Sequence, residues 1–340
     1  MKKKLLIAIA AYLILCQTSL FGQNNIVEKY GQLSVKGNYM MGQYGDTVQL
    51  RGMSLFWSQW MGQYYNEDVV KWLRDDWKCT VVRAAMGVQM GGYMDNPNQE
   101  EGKVTAVVDA AIKFGIYVII DYHSHEAHKN PEAAKKFFTD MAQKYGKYPN
   151  VLYEIYNEPL GVAWSTVLKP YSDTIIKTIR KYDPDNIIIC GTRQWSQLVN
   201  EAAADPVKDV NTMYSLHFYA ATHGKSLRDE AEKAMNHGIA LFVTEYGTCD
   251  ASGNSNFDTL KTREWYNFMD KYKISHCNWS VADKVETASI LNPGASAQGG
   301  WTDDDLTPSG KFVKNEIVSK NKALLPKKTP ENKLPKKKKK

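Results

Sequence analysis

The run Val151-Leu152-Tyr153-Glu154-Ile155-Tyr156-Asn157-Glu158-Pro159 decides how the rest of the chain is read. Its first residues are apolar and β-prone, without the polar alternation of a strand that has one wet face. That is the pattern of a parallel strand covered on both sides. The run then ends in polar groups, and Pro159 holds Glu158 extended so that its side chain is aimed out of the strand end. A carboxylate in that place must be paired, hydrogen-bonded or shifted in pKa, because an isolated buried charge is too costly. A second run of the same design, Ala240-Leu241-Phe242-Val243-Thr244-Glu245-Tyr246-Gly247, ends on Glu245. One such glutamate means little, since a strand can end on a solvated Glu. Two, each with aromatics beside it, are what acid/base and nucleophilic chemistry on a sugar bond requires.

Working outward, runs rich in β-branched and aromatic residues recur at Val48–Met53, Thr80–Met86, Ile116–His123, Asn186–Cys190, Thr212–Tyr219 and Ile274–Val281. With Val151–Asn157 and Ala240–Tyr246 they make eight. Helix-period apolar positions fall between them, at Asp68–Asp76, Val104–Phe114, Pro131–Tyr145, Val167–Tyr182, Ser226–Asn236 and Phe257–Tyr272. Strand–helix alternation repeated eight times predicts an α/β fold of the closed (β/α)8 TIM-barrel type, a single catalytic domain over 23–320. The 340-residue length suits one such barrel. No Gly-rich G-x-G-x-x-G turn follows the first strand, which counts against a dinucleotide fold. The segment Ile26–Gly45 reads as a hairpin-like plug for the bottom of the barrel.

Residues 1–22 read as a secretory signal peptide, with Lys2, Lys3 and Lys4 followed by an apolar run from Leu5 to Leu15 too short for a membrane span. The expected mature protein is therefore secreted, extracellular or periplasmic, with no membrane span. Residues 321–340 hold nine Lys and one Glu and read as a disordered tail, with electrostatic contact to an anionic surface as its alternative use. Without these ends, residues 23–320 carry 31 basic and 36 acidic residues, a net −5. The basic pI belongs to the tail, and no nucleic-acid cleft is expected in the domain. Cys79, Cys190, Cys249 and Cys277 are scattered singly, which makes neither a metal site nor a dense disulfide scaffold. Nine Trp and twenty Tyr exceed what a core of this size needs, and aromatic faces suit the apolar faces of sugar rings.

In a barrel of this kind functional residues stand at the C-terminal strand ends. Here the ends supply Arg83, His123, Asn157 with Glu158, His217 with Tyr219, Glu245 and Trp279. Singly, Arg83 could be a core ion pair, either histidine a satisfied buried one, and Trp279 ordinary core. A set drawn from six strands is harder to explain as packing. The roles divide: a general acid, Glu158, expected to have a raised pKa, and an ionised nucleophile, Glu245, supported by Arg83 and a Tyr219 hydroxyl. His123 and His217 would hold the sugar and tune the acid, and Asn157 would donate to its 2-hydroxyl. The carboxyl separation, which decides between retention and inversion, is not legible in sequence.

From about Leu33 to Ser319 the chain resembles the endoglucanases (cellulases) of glycoside hydrolase family 5. The stretches that carry the likeness are Leu50-Arg51-Gly52-Met53-Ser54, Val82-Arg83-Ala84-Ala85-Met86, Val118-Ile119-Ile120-Asp121-Tyr122-His123, the Asn157-Glu158-Pro159 motif, Leu216-His217-Phe218-Tyr219, Thr244-Glu245-Tyr246-Gly247 and Asn278-Trp279-Ser280. The resemblance implies a secreted retaining endo-β-1,4-glucanase with Glu158 as acid/base and Glu245 as nucleophile, no cofactor and no metal. Arg83, His123, Asn157, His217, Tyr219 and Trp279 would then line the subsite where the bond breaks. Lys284 and Glu286 match positions that grip the chain toward its non-reducing end, and Trp60 and Trp164 resemble stacking platforms on either side of the cut. There are departures: Phe56 followed by Trp57 stands where related enzymes often carry a His, and Gly87 stands where an aromatic is common.

A β-glucan polysaccharide is the expected partner and the chain is expected to act as a monomer. Rival readings are a β-mannanase or mixed-linkage glucanase on the same catalytic set, a catalytically inactive glucan-binding barrel, and a metal-dependent hydrolase built on His123-Ser124-His125 with His128, Asp121 and Glu158.

Overall fold

The computed structural model describes residues 25–324. The expected signal peptide lies outside the described residues, as does the expected lysine-rich tail 321–340 apart from its first four residues, where a helix runs on to the buried Asn321, whose amide donates to the Arg51 and Lys78 carbonyls. Eight parallel strands close a barrel: β3 (Arg51–Leu55), β4 (Val81–Gly87), β5 (Tyr117–His123), β6 (Val151–Glu154), β7 (Ile188–Cys190), β8 (Thr212–Tyr219), β9 (Leu241–Gly247) and β10 (Ser275–Val281). Their order around the barrel follows the chain, and β10 pairs back onto β3 through His276 and Arg51. All eight are buried along almost their whole length, which is why several of their sequences read as almost continuously apolar.

Two strands precede the barrel. The expected plug is a short helix, Ile26–Tyr30, followed by an antiparallel hairpin of β1 (Ser34–Lys36) and β2 (Tyr39–Met41). It sits against the residues that lead into β5, β7 and β8. The Tyr117 hydroxyl donates to the Gly31 carbonyl at 2.7 Å, Gln32 to Asn186 at 2.8 Å, and the Val35 N–H to Asn211 at 3.1 Å. The hairpin thus caps the N-terminal mouth and leaves the opposite end open. The helical part was hidden because five residues are too few to show a period.

The helices Glu67–Asp75, Pro97–Phe114, Pro131–Tyr145, Lys169–Ile179, Lys225–Asn236, Thr259–Tyr272 and Pro308–Asn321 wrap the barrel. Side chains start several of them: Asn66 accepts from the Val69 N–H, Asp258 from Lys261 and Thr307 from Gly310. Two differences from the sequence reading bear on the site. β6 stops at Glu154, so Asn157 and Glu158 stand on the loop beyond it rather than in the strand. After β7 the chain makes a turn at Arg193–Ser196 and a short helix, Val199–Ala204, in a stretch too short and polar to be read as helical. The four cysteines among the described residues are buried and unpaired, and no helix among those residues is long and apolar enough to cross a membrane.

The barrel wall leaves little room at Gly52, where a Cβ would fall 1.7 Å from the Val81 carbonyl oxygen on the neighbouring strand. Relieving that clash means spreading β3 from β4, so Gly52→Ala is expected to lower stability by about 3 kcal/mol, at the upper end of overpacking costs. Urea unfolding of the variant beside wild type checks it.

Candidate active site

Strand alternation places i and i+2 side chains on the same face, and the inward faces here are charged. Arg83, third of seven residues in β4, lies deeper than a strand end and is fully buried. Its Nε donates to Glu154 at 2.7 Å, while Nη2 reaches Asn157 Oδ1 at 2.6 Å and Asp121 at 2.9 Å. Nη1 donates to Glu245 Oε2 at 3.2 Å. Every arm of one guanidinium is thus spent on the floor of the site. Asp121 and Glu154, which the sequence reading gave no role in sugar chemistry, are part of this floor.

The upper layer rests on it. His123 Nδ1 lies 2.6 Å from Asp121 Oδ2, and the Asn157 amide nitrogen faces its Nε2 at 3.4 Å. Asn157 Oδ1 is held by Arg83, so its amide group must donate, and His123 carries its proton on Nδ1. Burial first, then the Arg83 charge, keep His123 well below the usual imidazole range and therefore neutral. The same burial pushes Asp121 up, against the pull of Arg83, and the proton it seeks lies on His123. The Trp279 ring stacks on His123 at 5.2 Å between centroids, nearly parallel.

Glu245 accepts from the Tyr219 hydroxyl at 3.0 Å on one oxygen and from Arg83 on the other. Glu158 Oε1 lies 3.0 Å from His217 Nδ1. His217 Nε2 contacts Thr244 Oγ1 at 2.8 Å, and Thr244 in turn donates to Glu154 at 2.6 Å. Burial alone would discharge His217, but the Glu154 carboxylate 3.8 Å from its Nε2 and the hydrogen bond to Glu158 outweigh it and lift its pKa to about 9. Glu154 is likewise pushed up by burial, yet Arg83 and His217 bring it down to about 2.

These neighbours overturn one expectation. Burial acts on both catalytic candidates, but the imidazolium of His217 holds Glu158 below the usual carboxyl range, whereas burial and the charge of Glu158 raise Glu245. A raised acid and a depressed nucleophile were expected. The order is reversed because the strongest cation contact falls on Glu158, something sequence spacing does not reveal. Two carboxyls this close share protons as a pair, so the values belong to the pair. One oxygen of Glu158, one of Glu245 and a ring nitrogen of His217 all lie within 4.8 Å of one another. That spacing is short enough for a cation, whose binding would have to displace the His217 proton. His123, His125 and His128 do not converge: their Nδ1 atoms go to Asp121, the Glu158 carbonyl and the Tyr156 hydroxyl respectively.

Aromatic rings extend the site to one side. Phe56 packs on Trp279 at 5.1 Å and lies 6.4 Å from Trp60, which is 49% exposed. Lys284 pairs with Glu286 at 2.6 Å and places its ammonium 5.6 Å from the Phe56 ring. A Cβ on Gly87 would fall 1.7 Å from Gln59 Oε1, so the Gln59 amide occupies the space a side chain there would enter, and Trp57 meets His123 edge-on at 4.1 Å.

Trp164 does not offer the expected platform. A π-helical turn at Trp164–Leu168 tucks the indole in until it is 4% exposed, with its N–H on the Asp205 carbonyl at 2.9 Å. The open ring on the Glu158 side is Trp195, 43% exposed, which no sequence reading had singled out. It lines a cleft of about 460 Å³ with Glu158, Gln194, Gln197, His217, Tyr219 and His223. His223 accepts the Tyr219 N–H on Nδ1 at 2.8 Å, so its proton sits on Nε2. An exposed Trp beside Gln residues in a loop after a strand was the available signal.

A closed parallel barrel whose open mouth carries two facing glutamates among aromatic rings defines a (β/α)8 glycoside hydrolase. The chain belongs to the cellulase family, glycosyl hydrolase family 5, whose family model matches residues 41–285. It is 48% identical over 295 residues to an endoglucanase of Clostridium saccharobutylicum, covering 86% of this chain and 66% of that one. Endoglucanase Z of Dickeya dadantii is 50% identical over 292 residues, covering 84% and 66%. The chain therefore spans less than two thirds of the length of either. Among solved structures, one from Cytophaga hutchinsonii is 67% identical with a TM-score of 0.88, covering 88% of this chain and 98% of that one. The catalytic domain of a Thermobifida fusca endoglucanase is 35% identical with a TM-score of 0.83, covering 86% and 99%.

Removing the guanidinium leaves Asp121, Glu154 and Glu245 without their common cation. Arg83→Ala is expected to cost about 3–5 kcal/mol at neutral pH. The orphaned carboxyls then have raised pKa values in the folded state and take up protons as pH falls, so the deficit should narrow from pH 7 to pH 5. Urea titrations at the two pH values measure it.

Proposed function

We propose that this chain is a secreted endo-β-1,4-glucanase that hydrolyses cellulose-type glucans with retention, by double displacement. The observation that carries this reading is the facing pair Glu158 and Glu245, with an oxygen of each within 4.8 Å of the other. Retaining glycosidases hold their two carboxyl groups roughly 5–5.5 Å apart, too close for a water to stand between nucleophile and sugar.

The chemistry follows from one proton shared over the pair and His217. While Glu158 is charged it raises Glu245; once the proton settles on Glu158 that repulsion vanishes, and Arg83 and the Tyr219 hydroxyl are left to keep Glu245 ionised. Glu158 then gives its proton to the glycosidic oxygen as the bond to C1 breaks, and a Glu245 oxygen bonds to C1. In the second step Glu158 takes a proton from water, the hydroxyl adds to C1 and Glu245 leaves as carboxylate. His217, charged up to about pH 9, keeps a proton 3.0 Å from Glu158 across the neutral range. The rings of Trp60, Phe56 and Trp279 and the Lys284–Glu286 pair offer flat faces and charged grips for a glucan chain on one side.

Reducing-end release from carboxymethylcellulose should fall at least a hundredfold below wild type in Glu158→Ala and in Glu245→Ala, the scale of losing an acid/base or nucleophile. A folded wild type that cleaves mannan and leaves carboxymethylcellulose intact would transfer the reading to a mannanase. Cleavage of neither would leave a binding barrel. The kcat/KM profile is expected to be bell-shaped, its alkaline limb set by proton loss from the Glu158–His217 pair. Because His217 holds that proton to about pH 9, His217→Asn should move the alkaline limb to lower pH.

A further inference from the structure

The loop that carries Glu158 is clasped from outside its own strand. β6 ends at Glu154, and the Glu158 N–H makes only a long contact, 3.3 Å, to the Ser124 carbonyl. The turn after β7 does the rest. The Gln194 N–H donates to the Leu160 carbonyl at 3.1 Å and the Trp195 N–H to Pro159 at 2.9 Å. The Ser196 hydroxyl donates to the Asn157 carbonyl at 2.7 Å. Carbonyls on both sides of Glu158 are therefore gripped by three consecutive residues.

That grip is made at a conformational cost. Gln194, Trp195 and Ser196 have φ of +61°, +53° and +54°. L-residues visit the left-handed region singly and at an energetic cost, and a run of three without glycine persists only where its surroundings over-determine it. Ser196 is fully buried, and its Oγ also accepts the Thr192 N–H at 3.3 Å, closing the turn on itself. At Gly191 a Cβ would fall 2.2 Å from the Tyr156 carbonyl, so the end of β7 is pressed against the Glu158 loop. The same turn presents Trp195 to the cleft beside Glu158.

We propose that Ser196 is a positioning residue for the acid/base: its hydroxyl, locked in the left-handed turn 194–196, fixes the direction in which Glu158 meets the glycosidic oxygen. The assignment rests on the glycosidase reading above, and its consequence is specific to proton transfer. A leaving group that needs protonation depends on the aim of Glu158, whereas an activated one departs without it.

The test compares kcat/KM, which reports the first bond cleavage, on dinitrophenyl β-cellobioside and on a cello-oligosaccharide. Ser196→Ala deletes the hydroxyl. Ser196→Gly deletes it too while favouring the left-handed backbone, so it carries the test where the alanine variant folds poorly. In both, the oligosaccharide is expected to lose roughly tenfold and the dinitrophenyl substrate less than about threefold, in keeping with the cost of a small misplacement of a reacting group. Equal losses on the two substrates, or none on either, would overturn the positioning role while leaving the glycosidase reading intact. A folded wild type inert on both substrates would overturn the glycosidase reading and the role of Ser196 together.

Discussion

Everything at the open end of this barrel depends on one guanidinium that never meets water. Arg83 projects into the barrel from β4 and spends its donors on Glu154, Asp121, Asn157 and Glu245. A planar fork can hold several acceptors at fixed angles, which a lysine ammonium cannot. Because the cluster is dry, removing either sign leaves a buried charge whose cost far exceeds the net worth of the pair. The floor is therefore rigid by necessity, and the side chains above it take their orientation from it: Asp121 fixes His123, Asn157 is aimed by Arg83, and Glu245 is tethered at one oxygen.

The upper layer is tied to this floor through His217 as well as His123. His217 links Glu158 to the Thr244–Glu154 network and remains charged to about pH 9. Its partners lie on three strands or their loops, β6, β8 and β9. The pairing register of β8 with β9 shifts between Ser215 and His217, just where the side chains must be re-aimed toward the mouth. The raised pKa of Glu245 and the depressed pKa of Glu158 are two sides of one electrostatic coupling, since the charge on Glu158 is part of what raises Glu245.

The cleft walls are built from loops that fill one another's space. Gly87 has no side chain, and the Gln59 amide lies where one would be, with Trp57 against His123. The surface beside His123 and Gly87 is thus built from the loop after β3. On the Glu158 side, the exposed ring comes from the strained turn after β7 and not from Trp164, which is packed against Tyr214 and Asp205.

The eight strands and their order were legible because parallel strands buried on both faces leave continuous apolar runs, and Thr212–Tyr219 and Pro131–Tyr145 were read with their observed limits. Family membership was legible in the residues around Glu158 and Glu245, since motifs at strand ends survive as short contiguous words. Other features were not. Asp121 and Glu154 sit inside apolar runs, where spacing alone cannot separate a charged floor from a strand that merely contains an acid. Trp164 and Trp195 are both loop tryptophans in the sequence, and only packing buried one and exposed the other. The sequence by itself determined the barrel and its two glutamates. Which cation each glutamate meets, and so where the proton rests, was decided by tertiary structure alone, because electrostatic coupling depends on ångström distances between strands that local pattern does not encode.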